Sequence, residues 1–465
     1  MNKRTVLILA LVVALALPTA ALAKAEFSLG GFIKLDAFWD STQEGKNMNA
    51  AIARNNTLDQ HHGRLKFTAQ GSRFNFTIKG PKLWGANTTG FIEIDFDSQE
   101  EGLSAATGGR GIASGGASNA YTPRLRHAMF RMDWPETQLL MGQYWSMFAQ
   151  WYPELLQDGP FQMTGTPTAR LAQIRLTQKF LGAWQVAALV GEANSINDGR
   201  TYNANIDHRG GESTEAPQVQ VQLQYQQDLW GKAAWYGKPT AFTAQITAGW
   251  QRGIIPDAQA LSTTGENAGS AAFAAWTRGK YQDPWLVMGA LFIPVIPTHS
   301  ANLAGTMALQ TTWWVGQGVE AFGFGSTGSQ VYRFAGWNVA GQPVYDCNLR
   351  QRFGGQVMGQ YYFTNQWYTT IAWGFTRTFG DGAFETDPFA PNGKANAFVG
   401  SNNAVDYHQE VGIALWYRPI QAFKFGLQYA YARTNYYQNL ISTANSDPTN
   451  LGEAHRVEFV GLFFF

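Results

Sequence analysis

Residues Gln218 to Gln227 read QVQVQLQYQQ. Gln218, Gln220, Gln222, Gln224 and Gln226 alternate with Val219, Val221, Leu223 and Tyr225. Period-two alternation puts the two sets on opposite faces of a strand, one amide and one apolar. In a soluble sandwich the apolar face would be core. In a membrane barrel it would meet lipid, and the glutamines would line a wet interior. The pattern recurs along the chain. FTAQITAGWQ sets Phe242, Ala244, Ile246, Ala248 and Trp250 against Thr243, Gln245, Thr247 and Gln251, and VGIALWY sets Val411, Ile413, Leu415 and Tyr417 against Gly412, Ala414 and Trp416. No comparable stretch has helical spacing.

Sixteen such segments are expected: 27–40, 63–80, 88–97, 122–134, 137–147, 169–181, 183–192, 216–230, 239–252, 283–296, 303–316, 351–364, 366–380, 405–418, 421–434 and 453–465. Their connections alternate between short turns such as Pro135-Glu136 and long stretches rich in Gly, Asn, Asp and Ser, such as 98–121 and 381–404. The expected fold is all-β, a transmembrane antiparallel barrel of about 16 strands with short periplasmic turns and long extracellular loops. A closed sheet gives every backbone N–H and C=O an internal partner and leaves no edge, and at this strand number the interior is wide enough for water. Two segments carry phase problems. In strand two, Leu65 and Phe67 are out of step with Phe74 and Phe76, which places a bulge near Gly71. In strand four, His127 and Arg131 share parity with Leu125 and Met129, which a bulge, a rim position or a subunit contact would reconcile.

Composition agrees with a barrel. Charged residues are 14% of the chain, against roughly 25% in soluble domains. Aromatics are also 14%, there are 50 glycines, and the mean hydropathy is −0.22. The N-terminus has Lys3 and Arg4, an apolar run from Thr5 to Leu17, Pro18, and Ala21-Leu22-Ala23, which reads as a cleaved secretory leader over 1–23. Residues 24–465 then form one barrel, and export with a lipid-facing wall implies the outer membrane of a Gram-negative bacterium. The last strand ends in Phe465, as an assembly signal for such barrels would. Trp39, Trp134, Trp250, Trp285, Trp313, Trp314, Trp367, Tyr368, Tyr417, Tyr436 and Tyr437 sit at strand ends and are expected to form interfacial girdles.

Catalytic, metal and cofactor motifs fail. Cys347 is the single cysteine. His61-His62 lacks further ligands at metal spacing. No phosphate loop, no G-x-S-x-G and no haem-attachment motif occurs. With 34 basic and 33 acidic residues the chain has no bulk charge to attract nucleic acid. Neither an enzyme nor a cofactor protein is expected. The alternatives are a barrel serving as sheath or anchor for a partner such as an electron-transfer cytochrome, or an outer-membrane lipid hydrolase whose Ser–His geometry spacing does not specify.

SRFNFTIKGPKLWGANTTGFIEIDF (72–96), PRLRHAMFRMDW (123–134), LLMGQYWSMF (139–148), ARLAQIRLTQKF (169–180) and MALQTTWWVGQ (307–317) resemble the Gram-negative porin superfamily, and most of all its DcaP-like branch. The resemblance implies a homotrimeric channel whose third extracellular loop, near 148–168, folds inward to narrow the pore. It also implies a link with small anionic solutes. Members of the branch can carry an N-terminal coiled coil, whereas here strand one follows the cleavage site closely.

A porin selects by pore width and by charge at its constriction. The expected inward loop offers Glu154 and Asp158. Opposite it, Arg124, Arg126, Arg170, Arg175 and Arg73 should face the lumen, because an arginine on the lipid face is destabilising by ~2–4 kcal/mol at the midplane. Glu93 and Asp95 alternate with Ile92, Ile94 and Phe96 and should face inward beside Arg124 and Arg126. The glutamines from Gln218 to Gln226 give that stretch of wall polarity without field. These features predict a passive channel for small hydrophilic solutes with a weak preference for anions.

Overall fold

The computed structural model describes residues 25–42, 52, 55, 61–97, 123–149, 151–156, 169–194, 214–256, 258–260, 279–323, 330–337, 343–379, 405–436 and 451–465. The leader, Asp158, Tyr437 and the side chain of Cys347 lie outside the described residues. Sixteen strands form the wall. They are β1 (Glu26–Asp40), β2 (Arg64–Thr68 continued by Arg73–Lys79), β3 (Asn87–Asp95), β4 (Arg124–Asp133), β5 (Thr137–Trp145), β6 (Arg170–Phe180), β7 (Trp184–Gly191) and β8 (Gln218–Gln227), then β9 (Phe242–Trp250), β10 (Trp285–Ile296), β11 (Met307–Gln317), β12 (Gln351–Tyr362), β13 (Trp367–Phe379), β14 (Val405–Ile420), β15 (Phe423–Tyr436) and β16 (Leu451–Phe464). Each pairs antiparallel with the next, and β16 returns to β1 from Phe32↔Phe464 to Asp40↔Arg456. The sheet therefore closes, so the backbone of the described wall strands is paired within the sheet. The short periplasmic turns lie at the end that holds both termini of the wall. The long connections, L1 to L8 in chain order, join the strands at the other end; L3 is 146–169 and L6 is 318–350.

The two faces of the wall are chemically distinct. Leu35, Ile246, Ile371, Ile413, Leu427 and Phe459 point outward and are each at least 43% exposed. An apolar belt of this size on every side of a molecule has no stable place in water and fits hydrocarbon. Aromatic pairs mark its borders: Trp250 opposite Trp285 at the extracellular end, and Trp367 stacked on Tyr417 at 4.3 Å at the periplasmic end. Trp314, Tyr368 and Tyr436, expected in these girdles, are instead buried on the inner face.

Bulges resolve both phase problems. Phe32↔Arg73 and Asp36↔Thr68 bracket four steps along β1 but five along β2, so β2 carries an extra residue at the Ala69–Ser72 corner. In β4 the pairing jumps from Glu93↔His127 to Ile94↔Leu125, leaving Arg126 as the extra residue. Arg126 and His127 then both turn inward while Leu125 and Phe130 stay outside, as a bulge allows. Two expectations for the connections change. The turn after β8 is not plain: β8 ends at Gln227, and Ala233–Trp235 and Lys238–Thr240 form a small hairpin before β9. The stretch 317–350, expected to be loop, holds the paired strands Gln330–Trp337 and Pro343–Leu349.

One buried cluster clasps the closure. Asp40 accepts from Arg456 Nε (2.6 Å) and Nη2 (3.0 Å) and from Arg64 Nη2 (3.1 Å), joining β1, β16 and β2. Both guanidiniums lie over the Phe38 ring. Asp40→Ala removes the carboxylate shared by two arginines, one of them fully buried, which costs about 3–5 kcal/mol. The variant should lose its compact, heat-modifiable band on electrophoresis at a clearly lower temperature than the parent.

Candidate constriction site

L3 leaves β5 at Trp145, and its described residues are fastened to the inner wall one side chain at a time. Met147 N donates to Gln220 Oε1 (2.8 Å) and Gln222 Nε2 donates to Met147 O (3.2 Å). Trp151 Nε1 donates to Gln245 Oε1 (3.1 Å), and Gln356 Nε2 donates to Trp151 O (2.8 Å). The Glu154 carboxylate takes Gln360 Nε2 (2.6 Å), the Tyr368 hydroxyl (2.7 Å) and the Lys424 ammonium. Trp416 Nε1 donates to Glu154 O (3.0 Å). Leu156 N donates to Gln428 Oε1 (2.7 Å), and Lys34 Nζ donates to Leu156 O (3.1 Å). The anchors come from β8, β9, β12, β13, β14, β15 and β1, so L3 runs along half the wall inside the lumen. Gly412 makes room for it: a Cβ there would lie 2.9 Å from Leu155 Cδ1.

The glutamine ladder is the first part of this seat. Gln218, Gln220 and Gln222 face inward, as their parity requires, yet they are buried rather than wetted. Gln218 Nε2 reaches Gln251 Oε1 (2.6 Å) and Ala321 O (3.1 Å), and Gln220 Nε2 reaches Gln218 Oε1 (2.6 Å). A loop crossing a lumen has no strand beside it to pair its backbone. An amide side chain offers both a donor and an acceptor on a long arm, so a row of them can replace the missing ladder. Gln224 and Gln226 lie nearer the periplasmic end, where Gln226 Nε2 donates to Thr243 Oγ1 (3.0 Å). L6 packs on the same seat through the 3-10 turn Val319–Phe322, whose Phe322 ring meets Phe148 of L3 at 5.5 Å.

The opposite wall carries the charge. Arg124 bridges Asp95 (2.8 Å) and Asp97 (3.1 Å), and Arg126 bridges Glu93 (2.8 Å) and Asp95. Arg73 is the cross-strand partner of Asp95 and lies over the Phe32 ring. Arg170 has no ion pair among the described residues. Among the described residues of this patch, Arg73, Arg124, Arg126 and Arg170 thus stand against Glu93, Asp95 and Asp97. Arg175 sits farther toward the periplasm, over the Tyr144 ring, and likewise has no ion pair among the described residues. Glu154, expected on the inward loop at the constriction, is paired with Lys424 within the L3 anchor.

Trp145 is the centre of this charged wall. Its indole is contacted by Arg170 (5.1 Å), Arg126 (5.7 Å), the His127 ring (5.3 Å) and the Tyr152 ring (5.9 Å). Among the described residues, Arg170 Nη1, the Tyr152 hydroxyl and His127 Nδ1 are buried there without a hydrogen-bond partner. Burial pushes the Tyr152 phenol well above its usual range, against the opposing pull of Arg170, Arg126 and Arg73, so it remains a neutral donor. Buried donors without acceptors are costly unless something supplies the acceptor. Parity along the strands places the arginines on the inner face, whereas Trp145, His127 and Tyr152 carry no such signal. The bulge that turns His127 inward and the L3 path that brings Tyr152 back to β5 are tertiary facts.

This is the sixteen-stranded architecture of outer-membrane porins and channels. Solved structures place it there in fold. The outer-membrane channel DcaP of Acinetobacter baumannii is similar at a TM-score of 0.59 and 16% identity, covering 96% of this chain and 99% of that one. OprB of Pseudomonas putida is similar at 0.51 and 9% identity, covering 94% of each chain. No protein-family model matches the sequence, and no curated protein matches it.

Proposed function

We propose that the protein is a passive outer-membrane channel for small hydrophilic solutes that favours anions and works as a homotrimer, exported by the 1–23 leader and assembled through its last strand and Phe465. The observation that carries the reading is the Trp145 cluster. Among the described residues, Arg170 Nη1 and the Tyr152 hydroxyl converge there without a hydrogen-bond partner, beside arginines that outnumber the neighbouring carboxylates. The surplus of guanidinium charge draws a passing carboxylate or phosphate and opposes a cation. L3 confines the solute by leaning on the glutamine- and tyrosine-bearing half of the wall. Phe465 donates its backbone N–H to Gly31 O (3.3 Å) and packs on Phe74, so the terminal residue takes part in the closing seam.

Planar-bilayer recording of the purified protein in a salt gradient tests the reading. Stepwise ohmic openings with a reversal potential on the anion-selective side are expected. Lasting electrical silence, or a cation-selective reversal potential, removes it.

A further inference from the structure

The periplasmic turn between β8 and β9 is long and enters the barrel. Its hairpin, Ala233–Trp235 with Lys238–Thr240, lies against the inner face of the wall: Ala233 and Trp235 pack with Ala290 and Phe292 of β10 and Ala308 of β11. The Trp235 ring is 5.5 Å from the ring of Trp151 in L3 and 5.7 Å from Phe292. At the tip, the Tyr236 hydroxyl donates toward Tyr152 O (3.3 Å) and Pro153 O (3.4 Å). The hairpin therefore meets L3 from below, directly under the segment that carries Tyr152 and Glu154.

The tip is built at a cost. Trp235 pairs with Lys238, so Tyr236-Gly237 is a two-residue loop with φ of 46° and 74°. Positive φ at both positions is the type I′ geometry, which asparagine or glycine accepts easily and a bulky residue resists. A tyrosine kept in the left-handed region signals a role for its side chain. The role visible here is its reach to the L3 carbonyls and its packing on Trp235 at 5.1 Å.

The geometry points to the Ala233–Thr240 hairpin as a periplasmic prop that holds L3 in its narrowing position, with Tyr236 and Trp235 as positioning residues for the constriction. This rests on the channel reading. L3 is fastened laterally by the wall, and the hairpin adds a support along the pore axis, so permeation is set from both ends of the barrel.

The test compares the full-length parent with two variants. One replaces Asp228–Ala241 by Asn-Gly, joining β8 to β9 directly. The other is Trp235→Ala combined with Tyr236→Gly, which keeps the turn and relieves its strain. Heat-modifiable migration controls for the barrel, and single-channel conductance with a graded series of neutral polymers reads the constriction. Both variants should keep the folded band, conduct more than the parent, admit larger polymers and show more open-channel noise. A conducting parent whose conductance, noise and polymer cut-off are unchanged in both variants overturns the inference and leaves the channel reading standing. Silence of parent and variants alike overturns both. If the deletion fails to assemble, the double substitution alone decides.

Discussion

Replacing Glu154 with alanine is expected to raise single-channel conductance by about two-fold and to make the open state noisy, because pore width at the constriction sets permeation. Glu154 is the point where L3 is held most strongly. Its carboxylate binds Lys424, Tyr368 and Gln360 together, and its carbonyl takes Trp416 Nε1. Removing one partner of a buried ion pair costs about 3–5 kcal/mol, chiefly by stranding the other charge. Here that charge is Lys424, which lies 3.7 Å from the Trp416 ring centroid with little water to move into. The penalty falls on L3 rather than on the barrel, whose closure rests on sixteen strand pairings that Glu154 does not enter. Heat-modifiable migration should therefore stay close to that of the parent while conductance changes. The double variant Glu154→Gln with Lys424→Met separates the causes: it removes both charges and keeps an amide for Tyr368, so quiet, parent-like openings should return. If Glu154→Ala conducts like the parent, Glu154 does not hold the loop.

How far the sequence reaches is visible in particular strands. Alternation located all sixteen wall strands because every one of them separates lipid from interior, and a one-residue slip would turn charge toward hydrocarbon. It also flagged both bulges, since parity that breaks inside a strand has few other remedies. It did not show what the interior touches. The glutamine row Gln218 to Gln226 reads as a wettable face, and its orientation follows from parity, but its occupants are L3 and L6, which are distant in sequence. The same limit hides the partners of Glu154. A loop carboxylate has no periodicity, and Gln360, Tyr368 and Lys424 lie 206, 214 and 270 residues away. The hairpin at Ala233–Thr240 left a local signal, the Tyr-Gly pair flanked by short apolar and β-branched residues. That signal marks a turn and not which way the turn folds. Arg124 and Arg126 lie beside Glu93 and Asp95 because consecutive strands pair, so adjacency was readable there, whereas the Trp145 cluster needs β2, β4, β5, β6 and L3 at once.

Arg170→Glu is expected to lower the anion-to-cation permeability ratio several-fold. Arg170 is the cleanest charge to reverse, since it has no acidic partner among the described residues and its Nη1 is one of the buried donors without an acceptor at Trp145. Arg126 is a poorer choice, because its loss would leave Glu93 and Asp95 to repel one another and would confound selectivity with folding. Two unit charges about 4 Å apart interact by ~1 kcal/mol in water, so reversing Arg170 changes an ion's energy at the site by ~2 kcal/mol. Since ~1.4 kcal/mol is tenfold in occupancy, the local effect is large. Screening over ~10 Å at 0.1 M salt reduces it for ions that pass at a distance, which is why the measured ratio should move several-fold rather than by the full factor. Arg170→Gln should give a smaller shift of the same sign, and both shifts should shrink as the salt concentration rises. Asp97→Asn supplies the opposite sign: it removes a carboxylate that Arg124 now bridges at 3.1 Å and should move the reversal potential further toward anions. A wall that selects by charge must give opposite displacements for these two substitutions. If both leave the reversal potential in place, the arginine-bearing half of the barrel is not the part that permeating ions sense.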